Sequence, residues 1–596
     1  MSIFITKISL YLKLISRIIK YKQKYISIIV IFLIALLARI VFFIFEKNSP
    51  LFLYPIIDEL EYLERAQYLA NNNFSYPKVY WHPPLYQYFL AILMKIGLEN
   101  KSILIIQNIM GILGTLILYF SLEKINKKIG FYTSLLWSIY PIQLFIENKF
   151  LMENMYIFLL ILFTHNILKE KQNYMTILFS GFLSSLLIIT KPTFILFIIL
   201  YLLFMLFKLN CYNIKKIIIY ISISLLLPLM VTIKNYYTSG DKIIFVSSNG
   251  AVNLYIGNSN NIRKTLNIRP KDWWDNFFVP IYTQVGLKEP EEQNPYELDD
   301  YFIKKVINEN KNLETFAKNL LIKFIVSFFS YETPRNFDIY SYREVNNYLR
   351  YLIWKKPLYF PLSLFIYSAF LFMIKNNWRK DNIKIIFLLT ISHWLPLIIF
   401  FNAFRYRLIC VPYLIFLSIN FYYLYWRNMN WQIVNIILII LLGTGIFNKI
   451  LIIQYISPAE TYNYYAFALF KKGELNRALN YYNRALRYNL EEDERYAILN
   501  DMASIYFIKK DYHSAKNNLN ICLNTKDEHL KNKVLFNLAL IYFRESEYVK
   551  AYHLISKIEK PDKEALQLRG ELIQRILTSS NSTEQLKSDT NRKGEN

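Results

Sequence analysis

Cysteine is scarce in this chain, with three in 596 residues. Cys211, Cys410 and Cys522 stand far apart without metal-ligand spacing, which excludes a disulfide framework and a cysteine zinc site. Glycine is also rare, at 14 residues, and none of it forms a phosphate-binding loop. A nucleophile elbow, an HExxH pattern and paired cysteines are missing as well. Acidic residues are the third shortage, 44 against 69 basic ones, for a formal net charge of +25. The basic residues are scattered between apolar runs instead of gathered on one domain. That pattern argues against nucleic-acid binding and for charge that sets membrane topology.

Apolar residues are what the chain has in quantity: 54% are hydrophobic and 17% aromatic. They fall in nearly charge-free runs, such as 26–45 and 217–233, of about the 20 residues a helix needs to cross a bilayer. Six basic residues and no acidic one precede residue 25. The apolar stretch after them is too long for a signal-peptide core and lacks a small-residue cleavage site, so it reads as a retained first span. Spans are predicted near 25–45, 102–121, 130–146, 150–168, 174–190, 192–208, 217–234, 357–375, 383–402, 408–426 and 431–452.

The fold class expected is all-α: a polytopic transmembrane helical domain of about 11–13 spans, then an α-solenoid. A basic N-terminus, 1–24, starts in the cytoplasm, and lysines and arginines recur in every second loop. That parity requires the apolar segment 82–98 to lie at the outer interface without crossing. The outer loops are then 46–100 and 235–356 within a membrane domain of 25–455, and everything after residue 452 is also outside. Most unusual polar residues fall at outer span ends. Transport would instead favour charge near the bilayer midplane, so chemistry at the outer face fits better.

After Pro458 a helical period replaces the apolar runs. Ala466, Ala503 and Ala539 share one small-residue position at spacings of 37 and 36, with Leu469, Tyr506 and Tyr542 three residues later. Ala478, Ala515 and Ala551 follow, then Ala485 and Cys522, with Ile558 at the same place in the last unit. Over 458–577 this resembles the tetratricopeptide repeat, whose stacks bind peptides or partner proteins; an unrelated helical bundle is the alternative. The polar tail, 578–596, is expected to be disordered.

The residues suited to chemistry are spread along the membrane domain. Asp58 and Glu59 follow the first span, where a carboxylate serves either as a helix cap or as a general base held at the membrane surface. In Trp81-His82-Pro83-Pro84-Leu85-Tyr86 the prolines fix the entry to the next element, and His82 either caps it or donates to a phosphate. Glu153 heads a long apolar span, and Lys191-Pro192 breaks two others, where the lysine either snorkels or holds a phosphate. Lys234-Asn235 ends a span before a turn-rich stretch holding Asn249, Asn253 and Tyr255, whose donors suit a sugar or a phosphate. Glu332 lies in Tyr331-Glu332-Thr333-Pro334-Arg335-Asn336, and Arg405 and Arg407 stand at a span boundary. A guanidinium there suits a phosphate, with lipid headgroups as the competing partner.

The order of these pieces carries more than any one of them. An outer Asp-Glu, HPPLY, a glutamate heading a later span, KPT, KNY, NGAVNLYIGN, YETPRN and RYRL follow one another over about 25–425. This order resembles the GT-C superfamily of multispanning glycosyltransferases. It is similar in particular to bacterial relatives of the dolichyl-phosphate-mannose protein mannosyltransferases and of the aminoarabinose transferase. Lys191 stands where many relatives have arginine, and the first acidic pair is embedded in further acids, so the choice of base between Asp58 and Glu59 stays open.

The resemblance implies transfer of a hexose or pentose from a polyprenyl-phosphate donor, with inversion, at the outer face of the cytoplasmic membrane. Asp58 would be the base, and Lys191, Arg405, Arg407 and His82 would stabilise the departing phosphate. The acceptor, a glycan, lipid or protein, stays unnamed. No cofactor is certain; a divalent cation is compatible but has no clear ligand set. Membrane lipid and a protein docked on the repeats are the other partners implied. A lipid or glycan transporter or flippase, and a non-catalytic scaffold recruiting partners through the repeats, are the alternatives.

Overall fold

The computed structural model describes residues 2–169, 172–207, 214–260, 262, 281, 298–329, 331–354, 361–374, 381–425, 458–558 and 561–592, with side chains described from residue 24 to 578 except at 363. It divides into two units, Met1–Ile456 and Ser457–Asn596. Among the described residues every regular element is a helix, and one isolated bridge joins Arg335 and Phe337.

The first unit begins with α1 (Ser2–Glu46), α2 (Asp58–Asn71), α3 (Leu85–Lys95), α4 (Asn100–Leu122), α5 (Lys127–Ser138), α6 (Pro141–Glu147) and α7 (Met152–Ile167). It continues with α8 (Tyr174–Thr190), a 3-10 turn (Pro192–Phe194), α9 (Ile195–Phe207), α10 (Ile214–Ser239), α11 (Gly250–Asn258), α12 (Asp299–Glu309) and α13 (Leu313–Ser327). The rest is α14 (Ile339–Tyr342), α15 (Asn347–Leu352), α16 (Leu362–Ile374), α17 (Asp381–Ile399), α18 (Phe404–Leu408) and α19 (Val411–Tyr425).

Lys24–Glu46 of α1, together with α4, α10 and α17, is long and apolar enough to cross a membrane, and α5 with α6 makes a fifth if the bent pair is one span. Shorter apolar helices are α8, Pro192–Phe207, Leu364–Ile374 and Val411–Leu424. This is a multi-pass membrane protein. The predicted span 431–452 and part of 357–375 lie outside the described residues, as does Cys211. Helix α3 has 11 residues, about 16 Å, half of what a bilayer demands.

Breaks in these helices create the site. The 55° bend between α5 and α6 falls just before Pro141, which lacks the N–H needed to continue a helix. Lys191 is extended (φ −150°, ψ 100°) because the proline after it disfavours the helical region, and α8 stops there. Between α6 and α7 the chain turns through Asn148–Leu151, and α17 gives way to the short α18 through residues 400–403.

Buried ion pairs tie α1 to these turns. Arg39 meets Glu147 at 2.7 Å, and Gly111 leaves the room, since a Cβ there would lie 1.9 Å from Glu147 Oε1. Glu46 accepts from Lys149 Nζ at 3.0 Å, Tyr342 Oη at 2.8 Å and Asn346 Nδ2 at 2.9 Å, so that charge is fully partnered. On another side, α11 and α12 bury Val252, Tyr255, Ile256, Leu298 and Phe302 against Phe401, with Trp81 and Tyr406 packed on the cluster. Here α11 meets the end of α17 so closely that a Cβ on Gly257 would lie 1.8 Å from the Phe400 carbonyl oxygen.

The second unit contains α20 (Pro458–Lys471), α21 (Leu475–Ala485), α22 (Glu492–Ile508), α23 (Tyr512–Cys522), α24 (Glu528–Arg544), α25 (Tyr548–Ile555) and α26 (Lys563–Arg592). The helices pack as α20 on α21, α22 on α23 and α24 on α25, with α26 against α25. Ala466, Ala478, Ala503, Ala515, Ala539 and Ala551 are all buried, as the repeat spacing requires. The tetratricopeptide resemblance itself rests on the sequence. Whereas the sequence suggests a disordered tail from about Thr578, α26 runs on to Arg592; after Gly570 no glycine or proline interrupts it.

Candidate functional site

Four charged side chains from four separate breaks meet at one place. Asp58 opens α2, Glu153 lies in the first turn of α7, Lys191 sits between α8 and the 3-10 turn, and Arg405 is in α18. Arg405 Nη2 is 2.8 Å from Asp58 Oδ2, and its Nε is 3.6 Å from Glu153 Oε1. Lys191 Nζ lies over the Tyr406 ring, 4.1 Å from the centroid, a cation–π contact. Among the described residues neither Glu153 oxygen nor Lys191 Nζ has a hydrogen-bond partner, although all three atoms are buried. The Glu153 side chain is 0% exposed, Arg405 6% and Asp58 18%, so Asp58 is the most accessible of the three.

The backbone ahead of Asp58 is strained. Ile57 has φ 55° and ψ −119°, a conformation a β-branched residue rarely adopts. Three acids in the first turn of α2, Asp58, Glu59 and Glu61, face the positive end of its dipole but point to different partners. Burial alone would raise the Asp58 carboxyl, yet Arg405, then His82 and Asn336, bring it down to about 2. Glu59 behaves oppositely: burial raises it to about 7 against the pull of Lys149 and two backbone donors. Its Oε1 accepts from Phe150 N at 2.9 Å, which holds the turn that leads into α7. The two neighbouring acids thus divide into an accessible one and a scaffolding one. Burial lowers Lys191 to about 8, with Glu153 pulling it back up.

His82 lies beside the four. Its Nε2 is 2.8 Å from Glu61 Oε2 and its Nδ1 is 3.2 Å from Asn249 Nδ2. With the Asn249 amide donating to Nδ1, Nε2 carries the hydrogen donated to Glu61. Both ring nitrogens are therefore occupied by the protein, and His82 joins α2 to the start of α11 where a donor to phosphate is expected from sequence.

The other expected residues divide between structure and site. Arg407, in the same short helix as Arg405, turns inward to Glu332 at 2.7 Å and to the carbonyls of Phe329 and Tyr331. Asn235 receives Tyr80 N at 3.3 Å and donates to the carbonyls of Ile244 and Val246. Lys234 stacks over Tyr80 at 4.1 Å and donates to Lys78 O. Asn253 donates to Asn249 O at 2.8 Å, and Tyr255 packs on Phe302 with ring centroids 5.5 Å apart. Tyr406, Asn336 and Glu61 contribute although the sequence assigns them no role at the site. Tyr406 was in plain view between the two arginines, but nothing in the sequence marks its ring as the seat of a lysine 215 positions earlier.

Among the described residues no group of three or more His, Cys, Asp or Glu side chains is placed to hold a metal ion. The carboxylates of Asp58 and Glu153 are already bridged by the Arg405 guanidinium.

Two of the four, Glu153 and Lys191, fall in a segment that resembles a known family, and Asp58 and Arg405 lie outside it. Residues 81–235 match the family described as dolichyl-phosphate-mannose-protein mannosyltransferase. The matched mannosyltransferase-like segment starts at Trp81, just before His82-Pro83-Pro84, and ends at Asn235, so it contains Glu153 and Lys191. Over that segment the match bears out the resemblance to membrane glycosyltransferases of the dolichyl-phosphate-mannose-protein mannosyltransferase kind. The chain matches no curated protein. It is also similar to an Archaeoglobus fulgidus oligosaccharyltransferase, whose crystal structure holds an acceptor peptide with the NVT sequon tethered through a disulfide. Identity is 15% and the TM-score 0.36, over 82% of this chain and 58% of that one. The chain spans little more than half the length of that protein, and a similarity this low carries no argument here.

Proposed function

We propose that the chain is a glycosyltransferase that moves a sugar from a polyprenyl-phosphate donor to an acceptor at the outer face of the cytoplasmic membrane, with inversion. The observation that carries this reading is the meeting of Asp58 and Arg405 with Glu153 and Lys191, the latter two inside the mannosyltransferase-like segment. A carboxylate next to two cations in a membrane protein suits a substrate with an anionic phosphate and a prenyl chain that remains in lipid.

The acceptor hydroxyl or amine attacks the anomeric carbon from the side opposite the phosphate. Asp58 takes the acceptor proton, the new bond to the anomeric carbon forms, and the bond from that carbon to the phosphate oxygen breaks. The departing polyprenyl phosphate keeps the electron pair. Lys191 and Arg405 meet its growing charge in a buried setting, where such charges act more strongly than in water. One base is enough for a single inverting displacement. Glu61, His82 and Asn249 fix the helix that carries Asp58, while Glu59 fixes the turn that carries Glu153. The second unit is assigned a protein or glycan-assembly partner on the outer side.

The test is transfer of label by membranes containing the full chain, supplied with radiolabelled polyprenyl-phosphate hexoses and pentoses. Transfer from at least one donor is expected. A chain that moves sugar from none of them, yet carries a lipid-linked sugar across vesicles, would be a transporter.

A further inference from the structure

We infer that Arg405 is a gate on Asp58 which the donor phosphate opens, and that Glu153 is the positioning residue giving the guanidinium its second seat. The inference rests on the functional reading above and names how that site is kept silent without donor.

In the resting arrangement the guanidinium is on the carboxylate that must later act as base. Arg405 Nη2 to Asp58 Oδ2 is 2.8 Å, a full ion-paired hydrogen bond. A carboxylate so held, and brought down to about 2, is a poor proton acceptor. The opposite edge of the same guanidinium is unfinished. Its Nε makes no hydrogen bond and stands 3.6 Å from Glu153 Oε1. Both Glu153 oxygens are buried and without a hydrogen-bond donor among the described residues, a costly state for a carboxylate that a small shift of the guanidinium relieves. Closing 3.6 Å to a hydrogen bond of about 2.8 Å takes a shift of about 1 Å. Lys191 Nζ, also buried and without a hydrogen bond, stands ready beside Tyr406 for an anion.

A phosphate entering between Lys191 and Arg405 supplies acceptors to both. Arg405 then turns toward the phosphate and Glu153, and Asp58 is released to the acceptor proton. Only hydrogen bonds and ion pairs are exchanged; no covalent bond changes. The groups that face Asp58 are Glu61 and Tyr62 from α2, His82, Asn336 and Arg405, while Glu153 from α7 and Lys191 face Arg405. Of these, Arg405 alone forms an ion pair with both Asp58 and Glu153.

The experiment follows transfer against pH with the purified full chain and the polyprenyl-phosphate sugar it uses. The rate at saturating donor reports the donor complex, and the rate at limiting donor reports the free enzyme. Released Asp58 titrates like an ordinary aspartate, so the saturated rate should fall on the acid side with a midpoint of about 4, while the limiting-donor rate stays flat there. In Glu153→Gln the guanidinium has no second seat. The saturated rate should drop about tenfold or more and lose its acid limb, with donor KM little changed, and Glu153→Asp should restore part of the limb. A residue that only supports the fold would lower the amount of active protein without moving the limb. Should Glu153→Gln fail to fold, Arg405→Lys, which cannot bridge two carboxylates, is expected to show the limb under both conditions. Coincident limbs in the wild type, or an unchanged limb in Glu153→Gln, would overturn the gate and leave the transferase reading standing. Absence of both transfer and binding of polyprenyl phosphate alone would remove that reading and the gate with it.

Discussion

Replacing Gly257 by alanine places one methyl group where α11 presses on the end of α17. The added Cβ would lie 1.8 Å from the Phe400 carbonyl oxygen and 2.5 Å from its carbon. Non-bonded contact needs about 3.5 Å, so the two segments must separate by about 1.5 Å or more. Both partners at this contact are backbone, and no side chain can rotate away. The separation strains Asn258 Nδ2 to Ile399 O at 2.8 Å and the Lys323 ammonium contacts to Asn258 Oδ1 at 2.7 Å and to the carbonyls of Ile399 and Phe400. Overpacking of this kind costs about 1–3 kcal/mol, and the strained hydrogen bonds add to it. The functional cost should be larger than the loss of stability suggests, because Phe400 lies five residues before Arg405. A misplacement of about 1 Å in a reacting constellation can lower a rate about a hundredfold. The assay is thermal unfolding of the detergent-purified chain alongside its transfer rate. Transfer within about twofold of wild type, at unchanged stability, would refute the idea that the α11–α17 contact sets the position of Arg405.

Two further outcomes follow from the local chemistry. Glu59→Gln keeps the oxygen that accepts from Phe150 N and should retain transfer within about threefold. Burial raises the Glu59 carboxyl to about 7, so its ionisation takes away stability as pH rises from about 4.5 to 7, and the variant should lose that slope in melting temperature. For Lys191, lowered to about 8, donor affinity should be steady below that pH and weaken above it as the ammonium discharges. Lys191→Met should raise donor KM by about tenfold to a hundredfold and abolish that alkaline loss.

Much of the architecture was legible in the chain because its signals are local. Apolar runs and basic loop residues mark where helices lie, and Pro141 and Pro192 mark breaks, although Pro228 and Pro396 sit inside the continuous helices α10 and α17. The residue types of the site were legible too, since charge at the end of an apolar run calls for a partner. Pairing was not. Arg405 and Arg407 look equivalent in sequence, yet on the helix α18 residues two positions apart lie on opposite faces, and one reaches Asp58 and the other Glu332. His82 looked like a donor for substrate, but its second partner, Asn249, lies 167 positions away. Asp58 and Glu59 could not be ranked because the distinction depends on Phe150 N and Arg405, both supplied by distant turns.

If Asp58 is the base of a sugar transfer driven by a lipid phosphate leaving group, its removal must show in the rate of transfer from a polyprenyl-phosphate sugar, wild type against Asp58→Asn, at matched amounts of folded protein. The asparagine keeps the shape and loses the proton acceptor, so the rate should fall by about a hundredfold to ten-thousandfold with donor binding retained. Equal rates in the two proteins would contradict the account.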